Sequence, residues 1–217
     1  MGVRRLFTAA DLESIRLATA ASEQRTSGEI VPYIVERVDN HDEARWRAAA
    51  LGALGAALIA GAVHTLSGLW GGAGLLWITL PTLAGAGTGY AIGGLGTIAR
   101  RLVPTETLGR LARMRAEAAF LEEEVFRTRD RTGILIFLAL AEHRAVILAD
   151  EGINRAVAKG LWDRVVADLV AGIRAGRAPQ ALEGAVVRCG EILAEHRVEP
   201  RPDDTDELDD RPRLRER

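Results

Sequence analysis

The sequence predicts an α/β fold: a small mixed β-sheet flanked by helices, interrupted by a two-helix transmembrane hairpin. Three observations carry that class. Segments with helical apolar periodicity alternate with runs of β-branched and aliphatic residues, the pattern of helices packed on a sheet. From Gly133 to Leu140 the chain reads Gly-Ile-Leu-Ile-Phe-Leu-Ala-Leu, short and apolar throughout, as a strand buried on both faces requires. From Ala48 to Ala99 there is no Asp, Glu, Lys or Arg, and His64 and Tyr90 are the only ionisable side chains. A bilayer-spanning helix needs about 20 mostly apolar residues, so this stretch supplies two.

Thr8 to Gln24 reads as a helix, with Leu12 and Ile15 on its apolar face, Ala18 and Ala21 as small residues, and Thr8 as N-cap ahead of Asp11. Ile30 to Val38 is rich in β-branched residues and reads as the first strand. Pro32 within it argues for an edge or a bulge near its start. The membrane helices are expected from near Trp46 to Leu66 and from near Leu75 to Ala99, separated by the turn-forming run Ser67 to Gly74. At 1.5 Å per residue Trp46 and Trp70 stand about 36 Å apart, which suits one interfacial anchor at each headgroup layer. Arg45 and Arg47 precede the hairpin, Arg100 and Arg101 follow it, and the loop between has neither Lys nor Arg. Positive residues favour the cytoplasmic side, so a multi-pass protein of the inner (cytoplasmic) membrane with both termini cytoplasmic is expected. Gly85, Gly89 and Gly93, continued by Thr97, form a smooth row on the second helix, and Gly52, Ala56 and Ala60 form one on the first. These tethered rows are expected to pack on each other. A homodimer through Gly85, Gly89 and Gly93 is the alternative. Pro81 predicts a kink or an irregular start in the second helix.

After the hairpin, Thr105 to Phe126 reads as a long helix with Leu108, Leu111, Ala112, Ala119 and Val125 on its apolar positions. The Gly133 to Leu140 strand follows, and Ala145 to Leu148 returns antiparallel after a tight polar turn. Helices are then expected over Ile153 to Lys159, Leu161 to Ala175 and Pro179 to His196. A helix between two strands implies a parallel right-handed crossover. The organisation is therefore residues 1–45 and 102–200 as two parts of one α/β domain, residues 46–101 as the hairpin, and residues 201–217 as a charged tail. An even number of crossings lets a domain split this way meet on one side of the bilayer.

Composition narrows the function. A formal net charge of −2, with no aromatics interleaved among basic patches, gives no electrostatic case for nucleic acid. Cys189 is the sole cysteine, so no intramolecular disulfide or multi-cysteine zinc site forms, and its alignment with Leu182, Val186 and Leu193 marks a small core residue. No phosphate-cradling glycine loop and no Ser-His-Asp context occur, and His41, His143 and His196 fall in loops or at element ends. Strand directions place Asp150, at the end of the third strand, beside Glu29 and Thr132. Carboxylates gathered at strand ends offer hard oxygen ligands for Ca²⁺ or Mg²⁺, while Asp150 serves equally as the cap of the helix that follows. The acidic run Asp203-Asp204-Thr205-Asp206-Glu207 lacks the spacing of an EF-hand loop and reads first as a solvated segment.

Several motifs occur in order along the chain: Phe7 with Asp11-Leu12 and Ile15; Glu23 with Thr26-Ser27-Gly28-Glu29-Ile30; Ala119-Phe120 and Thr128; Gly133-Ile134-Leu135-Ile136; Asp150 with Gly152-Ile153-Asn154; then Trp162, Gly184 with Gly190, and Asp204-Thr205-Asp206-Glu207-Leu208. In this order the sequence resembles the TPM domain family, which includes a thylakoid-lumen acid phosphatase of plants and many bacterial membrane-associated proteins. Thr132, Ala149 and Asp206 stand where that family often has Asn, Gly and Asn, and its Phe-Pro after the last helix is missing near His196-Arg197. The resemblance implies divalent-ion binding by acidic loops, here Glu29, Asp150, Asp204, Asp206 and Glu207, with Asp204 and Glu207 folding back on the domain. Two functions follow as expectations: a membrane-anchored interaction or assembly module that binds a protein partner, or a metal-assisted acid phosphatase.

Overall fold

The computed structural model describes residues 6–38, 42–67, 74–95, 98, 102, 104–158, 160–196, 198 and 207–215. The chain divides into two compact units, Met1–Val38 with Gly109–Arg217, and Asp39–Leu108.

The first unit is a four-stranded sheet with helices on both faces. Its elements are α1 (Ala9–Glu23), β1 (Glu29–Val35), most of α4 (Thr105–Glu122), β2 (Gly133–Ala139), β3 (Arg144–Ala149), α5 (Glu151–Ala156), α6 (Gly160–Arg174), α7 (Ala178–Glu195) and β4 (Arg213–Arg215). The strand order is β3-β2-β1-β4. β1 runs parallel to β2 from Glu29 opposite Gly133 to Val35 opposite Ala139, and β3 returns antiparallel with Ala149 opposite Ile134. Every residue of β1 and β2 is buried, which explains their apolar composition beyond Glu29. Ile30, Ile34, Ile134, Ile136 and Leu138 face one layer, where Ile15, Trp162, Leu169, Leu182 and Cys189 pack. Val31, Tyr33, Val35, Leu135 and Phe137 face the other, under Ala112, Ala116 and Ala119 of α4. Those alanines let α4 lie close to the sheet. Tyr33 stacks on Phe137 with ring centroids 5.8 Å apart, and Arg115 lies over Tyr33 and donates to its hydroxyl at 2.7 Å.

Local chemistry sets the element ends. Thr8 caps α1 in a reciprocal capping box with Asp11, whose carboxyl is held below its ordinary pKa by the Thr8 hydroxyl and amide. β1 begins one residue earlier than the sequence predicts and ends at Val35, and α4 ends at Glu122 with a separate 3₁₀ turn at Val125–Arg127.

The tail expected to be solvated contributes a strand. β4 pairs parallel with Tyr33–Val35, and Glu123 ties Arg213 and Arg215 at 3.1 Å each. This makes β1 a central strand over its second half only. Glu29 N–H points to β2, so by alternation position 32 faces the β4 side, and β4 begins opposite residue 33. Pro32 therefore sits where no ladder bond is needed, as the edge argument required.

The second unit holds α2 (Asp42–Ser67) and α3 (Gly74–Gly93), both long and apolar enough to cross a membrane. α2 begins before Trp46, with Asp42 and Glu43 favourably placed in its first turn, and Pro81 lies inside α3. Leu51, Leu54, Leu58 and Ile59 on α2, and Leu75, Leu76, Leu80 and Leu83 on α3, project outward. The helices meet through the small-residue rows. A Cβ built on Gly85 would stand 2.4 Å from the Gly52 carbonyl oxygen, and one on Gly89 2.2 Å from that of Ala48. The row on α3 is thus occupied by α2 of the same chain. Charged and aromatic groups gather at one end of the pair, where Trp46 meets Tyr90 edge-on at 5.3 Å and Arg45 lies 5.7 Å from the Tyr90 ring centroid. The connecting turn with Trp70, and Thr97, Arg100 and Arg101, lie outside the described residues.

Candidate functional site

Of the acidic residues singled out in the sequence, Glu29, Asp150 and Glu207 lie at the end of the sheet where β1 and β2 begin and β3 finishes. The loop between α4 and β2 is fixed there by two glycines. A Cβ on Gly133 would lie 2.0 Å from the Val125 carbonyl oxygen, and one on Gly152 2.3 Å from that of Asp130. Gly152 N–H donates to Arg131 O at 2.9 Å. Arg131 itself takes a left-handed backbone with φ of 59°. Thr128 Oγ1 accepts the Thr132 N–H at 2.9 Å, and the Thr132 hydroxyl donates to Ser27 O at 2.7 Å, joining this loop to the start of β1.

Asp150 is buried to 6 % exposure and ion-paired, although its Oδ2 accepts no hydrogen bond among the described residues. Arg131 approaches it with Nε at 2.7 Å and Nη2 at 3.0 Å, and the Glu151 N–H donates to Oδ1 at 2.7 Å. It is therefore the cap of α5 and half of an ion pair, which in turn raises the Arg131 pKa. Glu29 is equally buried, and its carboxylate accepts the Glu207 and Leu208 amides at 3.3 and 3.2 Å. The Glu207 carboxylate accepts the Arg129 amide, at 3.0 Å for Oε2. Glu29 and Glu207 are thus brought together, through backbone as much as side chain, while Asp150 stays with Arg131. Asp204 and Asp206 lie outside the described residues.

Sequence reasoning missed the pair that matters most electrostatically. Glu23, at the end of α1, accepts the Ile30 N–H at 2.6 Å and is hydrogen-bonded to Asp210. Burial, then the Asp210 hydrogen bond, then the nearby charge of Glu29 push its pKa up to about 10. Glu23 therefore keeps its proton at neutral pH. Asp210 Oδ1 is buried without a hydrogen-bond partner among the described residues. Glu23 stood in a quoted motif, but only the folded chain brings it together with the distant Asp210. Among the described residues no three His, Cys, Asp or Glu side chains form a metal-holding group.

A family model described as the TPM domain matches residues 99–192. Over those residues the chain is similar to the TPM domain. The match contains Asp150 and Arg131, whereas Glu23, Glu29, Glu207 and Asp210 lie outside it. Among solved structures, the NMR structure of BA42 protein from the psychrophilic bacterium Bizionia argentinensis superposes with a TM-score of 0.59 at 18% identity, covering 98% of each chain. At that identity the likeness concerns the fold. None of the curated proteins matches this chain.

Proposed function

We propose that this TPM-domain protein is anchored in the inner membrane by α2 and α3, and that its α/β unit is a cytoplasmic interaction or assembly module governed by a divalent cation, Ca²⁺ or Mg²⁺. The anchoring reading rests on two long helices whose large apolar side chains project outward. The cation reading rests on the burial of the Glu23 carboxyl against Asp210 and beside Glu29, which raises its pKa. Hard oxygens whose charges repel are what a divalent cation relieves, and it would take the place of the Glu23 proton. Glu23 and Asp210 would hold it. Asp150 stays with Arg131 and keeps the loop in place.

Isothermal titration of Ca²⁺ and Mg²⁺ into the full chain in detergent, at pH 8 and in buffers of different ionisation enthalpy, tests the site. Saturable binding with proton release, abolished by Glu23→Gln, is expected. Absent binding, or binding untouched by that substitution, would overturn it. The phosphatase alternative needs a cationic clamp for phosphate, and Arg131 is committed to Asp150. A phosphomonoester assay in which turnover disappears with Asp150→Asn would favour that alternative. Protease accessibility in sealed vesicles tests the topology, and cleavage of the two termini from opposite sides would refute it.

A further inference from the structure

The sheet has one long open edge. β3 is its outermost strand, and the Asp150 N–H donates back to Gly133 O at 2.9 Å. By antiparallel alternation Ala145, Ile147 and Ala149 then turn their backbone groups away from β2. Asn154 Nδ2 takes the Ala149 carbonyl at 2.5 Å. The amides of all three residues, and the carbonyls of Ala145 and Ile147, have no hydrogen-bond partner among the described residues. β3 is Arg-Ala-Val-Ile-Leu-Ala, with no charge or proline in its centre to blunt the edge.

A groove follows this edge. One cavity of about 480 Å³ is lined by Glu117, Phe120, Leu121, Leu148 and Glu151, on the α4 side. A second of about 470 Å³ runs along Ala145 to Ala149 and reaches Trp162, Asp163 and Val166 of α6. Arg113, Leu148, Ala149 and Asn154 line both, so the two are continuous along the strand. Trp162, only 6 % exposed, buries its Nε1–H without an acceptor among the described residues. A buried indole donor without a partner is costly. The lining charges are mostly negative. Glu117 is paired with Arg113, Asp150 with Arg131 and Glu151 with Arg155, so the carboxylate left for a partner is Asp163. Asp163 forms no ion pair among the described residues.

We propose that the β3 edge is a docking site for an extended, basic and apolar segment of another protein, which adds to the sheet as a further strand. Its backbone pairs with Ala145, Ile147 and Ala149, and one of its carbonyls accepts the Trp162 Nε1–H. Its apolar side chains enter the Phe120–Leu148 hollow on one face and the Trp162–Val166 hollow on the other, and a Lys or Arg meets Asp163. Main-chain pairing supplies affinity in such a mode, and the flanking pockets and charges supply selectivity. This gives the interaction reading a surface and a partner chemistry, and it does not depend on the cation.

The test uses the full chain, ¹⁵N-labelled at tryptophan, in nanodiscs. The Trp162 indole resonance is assigned by its loss in Trp162→Phe. The probes are acetyl-Lys-Val-Thr-Val-Thr-Lys-amide, the same peptide with Glu for Lys, and the basic peptide N-methylated at alternate residues. The basic peptide is expected to shift the Trp162 resonance saturably, the acidic one to bind at least tenfold more weakly, and the N-methylated one to bind not at all. Asp163→Asn should shrink the basic-over-acidic preference to less than threefold. No shift with the basic peptide, or equal binding of the N-methylated one, overturns the proposal. So does a dimer in sedimentation that Ile147→Pro dissociates, because the edge then belongs to a second copy. Failure of cation binding alone leaves these outcomes unaffected.

Discussion

Replacing Glu23 with Gln should stabilise the α/β unit at neutral and alkaline pH. In the folded chain the Glu23 carboxyl is pushed up to about 10 from 4.5, chiefly by burial and by the Asp210 hydrogen bond. Between those two values the folded state holds a proton that the unfolded state has released, so stability falls as pH rises. It is fully retained below the unfolded pKa and lost progressively towards the folded one. At 1.36 kcal/mol per unit, the 2.5 units between 4.5 and pH 7 amount to an upper limit of about 3 kcal/mol. Partial solvent contact brings the expected gain to about 2 kcal/mol at pH 7 to 8. A Gln at this site keeps an oxygen for the Ile30 N–H and offers Asp210 a permanent donor. The assay is urea unfolding of both full-length chains in non-denaturing detergent between pH 4 and pH 8, followed by circular dichroism. The two should be close in stability at pH 4 and diverge steadily above pH 5, with the variant more stable. A variant no more stable than the parent at pH 8, or a difference that does not change with pH, would refute the raised Glu23 pKa.

Three further outcomes follow from the packing. Gly133→Ala should cost about 1–3 kcal/mol in urea unfolding, because its Cβ would meet the rigid Val125 carbonyl rather than a movable side chain. Gly85→Val should lower the thermal midpoint of the hairpin in detergent by driving α3 away from Gly52, whereas Gly87→Val, with nothing within 4 Å, should change little. Asp150→Asn should be less damaging than Asp150→Ala by about 1 kcal/mol in the same unfolding assay, since Asn still caps α5 while both lose the Arg131 ion pair.

Much of the fold was legible because single, local signals fixed it. The apolar run of β2 admits no solvated face, Thr8 with Asp11 marks the start of α1, and the glycine spacing on α3 anticipates close approach to α2. Pro32 spoke truly of an open edge, although β1 as a whole lies inside the sheet. β4 was hidden because three residues, two of them Arg, carry too short an alternation to read. What holds them is Glu123, a residue of the α4 end that sequence spacing does not link to the tail. The candidate site was legible in residue type at Glu29 and Asp150, but their engagement was not. Asp150 is claimed by Arg131 across a left-handed loop, and Glu29 by the amides of residues 207 and 208. The Glu23–Asp210 pair depends on burial and on a contact between distant positions, neither of which periodicity reports.

The ladder between β1 and β2 joins Glu29–Val35 to Gly133–Ala139, and the last neighbour of β1 arrives only at Arg213–Arg215. Synthesis therefore delivers β1 long before either partner, with α2, α3 and α4 emerging in between. At about 5–20 residues per second, the wait for β2 lasts several seconds. During that interval an apolar strand is in need of a chaperone or of the ribosome's own shelter. Sheet assembly becomes a late step, gated by the completion of both apolar helices, and nascent chains halted before β2 should be the species that quality-control proteases remove.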